Sequence, residues 1–242
     1  MSTERLHVVV IPQEHRWLGR QCVQDERSRA FARGLTVDPS TWRTTTIRTS
    51  DPLPNPDQPN GCCTGVSECV QGNSAGVPSV QRRLTMDDAQ AVYTLATTLD
   101  PFAGSMPDQD TGSSGLAAAK AARRLGLLSG GYRWLLGGAD EVVQHLCSPE
   151  RTPVSIGTWW YEGMMRPQRA KPDGVHRLPF VEPTGRRVGG HQFTARGYHK
   201  PTDTVVVRCW WGSYRDVRVA RTHLADLLAD DGDAHVAERL GA

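Results

Sequence analysis

Cys63 stands where a thiol can be made nucleophilic. It follows the turn-like run Asp57-Gln58-Pro59-Asn60-Gly61-Cys62 and opens a segment with helical spacing, Cys63 to about Ala75. A thiol is mostly protonated at neutral pH. A helix N-terminus and a neighbouring imidazolium both favour the thiolate. The imidazole must come from elsewhere in the chain, and His191 is the best candidate. It sits in Val188-Gly189-Gly190-His191-Gln192-Phe193, at the start of an alternating segment, and the two glycines let another backbone come close. Such a pair carries out acyl transfer, with attack on a carbonyl by sulfur and proton movement by the ring. Taken singly, Cys63 reads as an inert buried thiol and His191 as a satisfied strand histidine. The pairing, and the turn before the cysteine, favour the chemical reading.

Other clusters are better explained structurally. Cys62, Cys63 and Cys69 do not have the spacing of a zinc site. Gly112-Ser113-Ser114-Gly115 lacks the strand-turn context of a serine nucleophile and reads as a helix cap. Asp230-Asp231-Gly232-Asp233 lacks the closing glutamate of a calcium loop and reads as a helix stop. No metal and no cofactor is expected. Trp159-Trp160-Tyr161 and Trp210-Trp211 read as core and cleft wall.

The elements that must position Cys63 and His191 come in two groups. His7 to Ile11 reads as a short strand and Arg27 to Ala32 as a helical turn. Four prolines (Pro52, Pro54, Pro56, Pro59) keep the run before Cys63 extended. Helices then follow. Thr85 with Asp88 makes a capping box ahead of Ala89, Val92, Tyr93 and Leu95 to Leu99. An alanine-rich helix spans Leu116 to Leu125, and another runs from about Asp140 to Cys147. After Pro153 the period changes to two: Pro153 to Trp159, Gly190 to Tyr198 and Thr204 to Cys209 alternate like strands. A last helix covers about Arg221 to Ala229, ahead of a polar tail. Helices first and strands later predict an α+β fold of two lobes with a cleft between them. The expected division is one domain over 1–242: an N-terminal extension (1–48), a mainly helical lobe (49–150), a mainly β lobe (151–235) and a tail (236–242).

Composition narrows the function classes. Lys and Arg number 28 and Asp and Glu 26, a net charge of +2, with the basic residues dispersed, which argues against a nucleic-acid partner. The longest apolar runs, such as Val8-Val9-Val10-Ile11, are too short to cross a bilayer, so no membrane partner is expected. The start of the chain has no secretory apolar core, and six scattered cysteines fit reduced thiols. A cytoplasmic location is the expectation.

An ordered set of short motifs carries a resemblance. Asp57-Gln58, Gly61-Cys62-Cys63-Thr64-Gly65, Asp110-Thr111-Gly112-Ser113-Ser114, Tyr132-Arg133-Trp134, Pro153-Val154 with Ile156-Gly157-Thr158-Trp159, Gly189-Gly190-His191 and Trp211-Gly212 follow one another as in a known family. Over about residues 16 to 235 the chain resembles the papain-like cysteine peptidases, in particular small stand-alone versions from bacteria and phages of actinobacteria. The resemblance implies a papain-like fold, a helical lobe followed by an antiparallel β lobe, with the site in the cleft. It implies Cys63 as nucleophile, His191 as general base, and an oxyanion hole from the Cys63 amide and the Gln58 side chain. Gln58 is one residue nearer the cysteine than the family pattern has it. Cys209 falls where the family has the asparagine that orients the histidine. The expected substrate is a peptide or protein: a peptidoglycan peptide, a virion protein or a host protein. If the chain is phage-encoded, the location becomes the host cytoplasm or the virion. The alternative is a papain-fold protein with weakened or lost catalysis, used for binding or assembly, for example in a phage.

Overall fold

The computed structural model describes residues 18–50, 58–74, 76–77, 79–168, 178–209 and 216–238. The strand expected at His7–Ile11, prolines 52, 54 and 56, Asp57 and Trp210-Trp211-Gly212 lie outside the described residues.

A two-residue strand, β1 (Thr45–Thr46), precedes the helices. Three helices pack together first: α1 (Cys63–Gly72), α2 (Met86–Leu99) and α3 (Gly115–Arg124). The Thr85 amide donates to the Asp88 carboxylate at 2.7 Å, so the capping box forms as its spacing predicts. Ser114 caps α3 by accepting from the Ala117 amide at 3.2 Å. Ala117, Ala118, Ala121 and Ala122 are buried against α1 and α2, where small side chains let the axes approach. Gly65, which weakens α1 as an isolated helix, is needed for the same reason. A Cβ there would overlap the Ala89 carbonyl of α2.

The second half is an antiparallel sheet built from β2 (Gly131–Trp134), β3 (Val154–Tyr161), β4 (Arg187–His199), β5 (Thr204–Arg208), β6 (Asp216–Ala220) and β7 (Asp233–Glu238), in the order β2-β7-β3-β4-β5-β6, with β1 added along β4. Helices α4 (Gly138–Cys147) and α5 (Arg221–Ala229) accompany it. The predicted α+β arrangement, helices ahead of an antiparallel sheet, is the one observed.

Four strands, β1, β2, β6 and β7, were not expected from the alternation, and β7 is the instructive case. Its residues read as a turn and a polar tail, yet Asp233 to Ala237 are buried between β2 and β3. The polar side chains that hid the strand have buried partners. Asp233 pairs with Arg20 at 3.1 Å, and His235 Nε2 meets the Glu68 carboxylate at 2.7 Å. β2 falls in the span assigned to the helical lobe, and β7 joins it to the main sheet.

Register sorts the side chains. Thr158 pairs with His191, Ile156 with Phe193 and Val154 with Ala195, which puts His191, Phe193 and Trp160 on one face. That face carries the larger apolar core, with Leu146, Val205, Val207, Leu224 and Cys209. Ser155 pairs with Thr194 and Gly157 with Gln192, which puts Gln192 and Thr194 on the other face, toward α1. There Ser67 bonds Ser155 at 2.7 Å and Thr194 at 2.9 Å, and Gln192 Nε2 donates to Ser155 at 2.7 Å. The helices and the sheet therefore meet along a polar seam.

Candidate active site

Cys63 is the first residue of α1 and is fully buried. Its sulfur is approached by two backbone amides, Gln192 of β4 at 3.4 Å and Gly19. The thiol therefore lies against β4 one residue from His191. The His191 ring, also fully buried, makes an edge contact with Trp160 (centroids 5.0 Å) and stacks with Phe193 (6.1 Å). Cys209 directly follows β5 and belongs to the same apolar cluster as Phe193 and Trp160. Gln58 is buried, and its Nε2 donates to the Asn60 carbonyl at 2.7 Å, within the turn. Asn60 in turn exchanges two amide hydrogen bonds with Gln90 of α2, at 3.0 and 3.2 Å.

A strap that the sequence reading missed covers the thiol. Leu18 to Gln21 runs between the lobes. Gly19 pairs in parallel with Gly190 and Arg20 with Ser113. Arg20 N donates to Gly190 O (3.1 Å), Gln21 N to Ser113 O (3.0 Å) and Ser113 N to Gly19 O (2.9 Å). Gly19 is obligatory, because a Cβ would overlap the Gly61 carbonyl. The Arg20 guanidinium is fully buried, passes over Gly157 and ends on Asp233 of β7. The signal in the sequence was the glycines: Gly61 and Gly112 face the Gly19 backbone along this slot, and Gly190 faces the Arg20 carbonyl.

The electrostatics follow from burial. Loss of water pushes the Cys63 thiol up to about 12, against the pull of the two amides and Arg20 and with the push of Asp110. Burial also holds His191 well below the ordinary histidine range. At neutral pH both groups are uncharged in this form. The Cys209 thiol is raised by burial and by Asp216, so it too is neutral. All six cysteines are free and buried. Among the described residues no group of three or more His, Cys, Asp or Glu could hold a metal ion, and no helix is long and apolar enough to cross a membrane.

No family model and no curated protein matches the chain in sequence. Solved structures do match. One is xylellain, a cysteine protease from Xylella fastidiosa, at 13% identity and a TM-score of 0.52, covering 96% of this chain and 100% of that one. Another is procathepsin B S9 from Trypanosoma congolense, at 11% identity and a TM-score of 0.54, covering 90% of this chain and 86% of that one. The fold is papain-like.

Proposed function

We propose that the chain is a cysteine peptidase acting on a peptide or protein through Cys63 and His191. The observation that carries this reading is the placing of Cys63 at the head of α1, between the lobes of a papain-like fold, against the β4 backbone next to His191. In the proposed reaction His191 takes the thiol proton. The thiolate adds to the substrate carbonyl, the Cys63 amide and Gln58 receive the oxyanion, and the protonated ring gives its proton to the leaving amine. Water then attacks the acyl-enzyme. Cys209, at the position of the family's asparagine, would leave the orientation of His191 to packing against Trp160 and Phe193.

The strap shields Cys63, both reacting groups are neutral and the His191 ring is packed with Trp160 and Phe193, so turnover requires Leu18–Gln21 to leave the slot and the ring to turn toward the thiol. A second reading, a papain-fold protein with weakened or lost catalysis, draws on the same burial and on Cys209. Hydrolysis of casein and of a fluorogenic peptide panel by wild type, Cys63→Ala and His191→Ala separates the two. The peptidase reading expects turnover that disappears in both variants. Equal rates in wild type and Cys63→Ala rule it out.

A further inference from the structure

We infer that Asp110, together with Tyr93, is the positioning device of the Cys63 site: it ties the Gly61 amide to the Gly112 loop and so fixes the turn that presents the thiol and its amide. The inference rests on the peptidase reading above, and its role there is to hold the oxyanion-binding turn, not to touch substrate.

Both oxygens of one carboxylate are engaged. Asp110 Oδ2 accepts from Gly61 N at 3.0 Å, and Oδ1 accepts from the Tyr93 hydroxyl. The Tyr93 oxygen accepts in turn from Gly112 N at 2.9 Å. Three separate pieces are thereby joined: the turn before Cys63, helix α2 and the loop whose Ser113 pairs with the strap. The fit is close. A Cβ on Gly61 would stand 2.6 Å from Asp110 Oδ1 and 3.2 Å from the Tyr93 oxygen. Gly112 has φ +73°, the left-handed region, which lets its amide turn toward Tyr93. Tyr93 is fully buried on α2, whereas Asp110 is exposed on one side. An exposed carboxylate adds little to folding. Its two inward hydrogen bonds serve the geometry of one turn.

Asp110 also acts on the thiol through space. The charged and titratable groups bearing on Cys63 are Arg20 of the strap, Asp110 of the loop, Tyr93 of α2 and the adjacent Cys62, with His191 next to Gln192 on β4. Arg20 favours the thiolate and Asp110 disfavours it. Removing the charge while loosening the turn should therefore move two observables in opposite senses, which a merely structural residue would not do.

The experiment uses the full chain as wild type, Asp110→Asn and Tyr93→Phe. Three quantities are read: peptide turnover, amide exchange at Gly61, and iodoacetamide labelling of Cys63 across pH. In Asp110→Asn, kcat should fall about 10- to 100-fold with KM held within about twofold, the scale of a small misplacement of catalytic groups. Gly61 exchange should quicken and the labelling midpoint should move to lower pH. Tyr93→Phe should lower kcat and quicken exchange without lowering the midpoint. Wild-type exchange at Gly61 together with wild-type kcat in Asp110→Asn overturns the inference. If the wild type shows no Cys63-dependent turnover, the peptidase reading fails, and exchange with labelling decides the clamp alone. Faster exchange and a lowered midpoint in Asp110→Asn uphold it, and unchanged values overturn it.

Discussion

Along β4 the side chains toward α1 are Gln192 and Thr194, and those turned the other way are His191, Phe193 and Ala195. The first set joins a seam of hydroxyls and amides and stands beside a buried ion pair, Arg20 with Asp233, and a buried polar contact, His235 with Glu68. The second set is packed by Trp160, Ile156 and the helices beneath. One strand therefore borders both a polar interior and an apolar one, and the two candidate reactive groups are divided between them. Cys63, at the head of α1, meets the Gln192 amide, and His191 lies among aromatic rings. Polar groups in a seam can exchange partners when lobes shift, whereas a side chain in a close-packed apolar face moves only if its neighbours give way. The more adjustable half of the site is therefore the turn and strap around Cys63, and the stiffer half is the histidine strand, whose ring must turn for the proposed proton transfer.

Substitutions on the two sides sharpen this contrast. Arg20→Ala leaves Asp233 buried and unpaired, and denaturant unfolding should show a loss of about 3–5 kcal/mol. The paired replacement Arg20→Met with Asp233→Leu should recover most of that loss while Cys63 labels faster than in wild type, because the strap has lost its ionic anchor. Labelling no faster than wild type would mean that the strap is held by its backbone pairing. On the apolar face, Phe193→Ala should cost about 3–5 kcal/mol by opening a cavity. Acid offers a milder probe. His191 and His145 are both depressed by burial, His145 to about 4 with Arg133 adding to the effect. Unfolded histidines bind protons near pH 6.5 and these two do not, so stability is whole above about 6.5 and declines as pH falls toward 4. Urea midpoints at pH 7 and 5 measure it, and equal midpoints would remove the neutral-histidine picture. The smallest effect is expected in the seam. Ser67→Ala should cost about 1–2 kcal/mol, since Ser155 keeps its bond from Gln192 while the Thr194 hydroxyl loses Ser67.

The helices were legible because their signals are local. Thr85, Asp88, Ser114 and the alanine run of α3 declare a start, a cap and a packing face within a few residues. The long alternation around His191 declared β4 in the same way, and Cys63 announced itself by its place before a helix. What was hidden depends on contacts across the chain. β7 looks polar until Arg20 and Glu68 are brought to it from far away in sequence. The strap looks irregular because its hydrogen bonds go to Gly190 and Ser113 and not to its neighbours. Periodicity also placed His191 on a strand without telling which face it would occupy, since a single step in register reverses the face.

The placing of β7 bears on how the molecule is made. Residues 233–238 emerge from the ribosome after every strand they separate, yet they sit between β2 and β3. Until they arrive, Arg20 has no Asp233 and Glu68 no His235, so the seam holds a guanidinium without its carboxylate and a polar group without its partner. The helical half and strands β3 to β6 can gather earlier, but insertion of β7 is a long-range closing event of the kind that slows folding. A nascent chain stopped short of residue 233 should therefore be sensitive to protease at the strap and at α1, and that sensitivity should end when β7 is supplied.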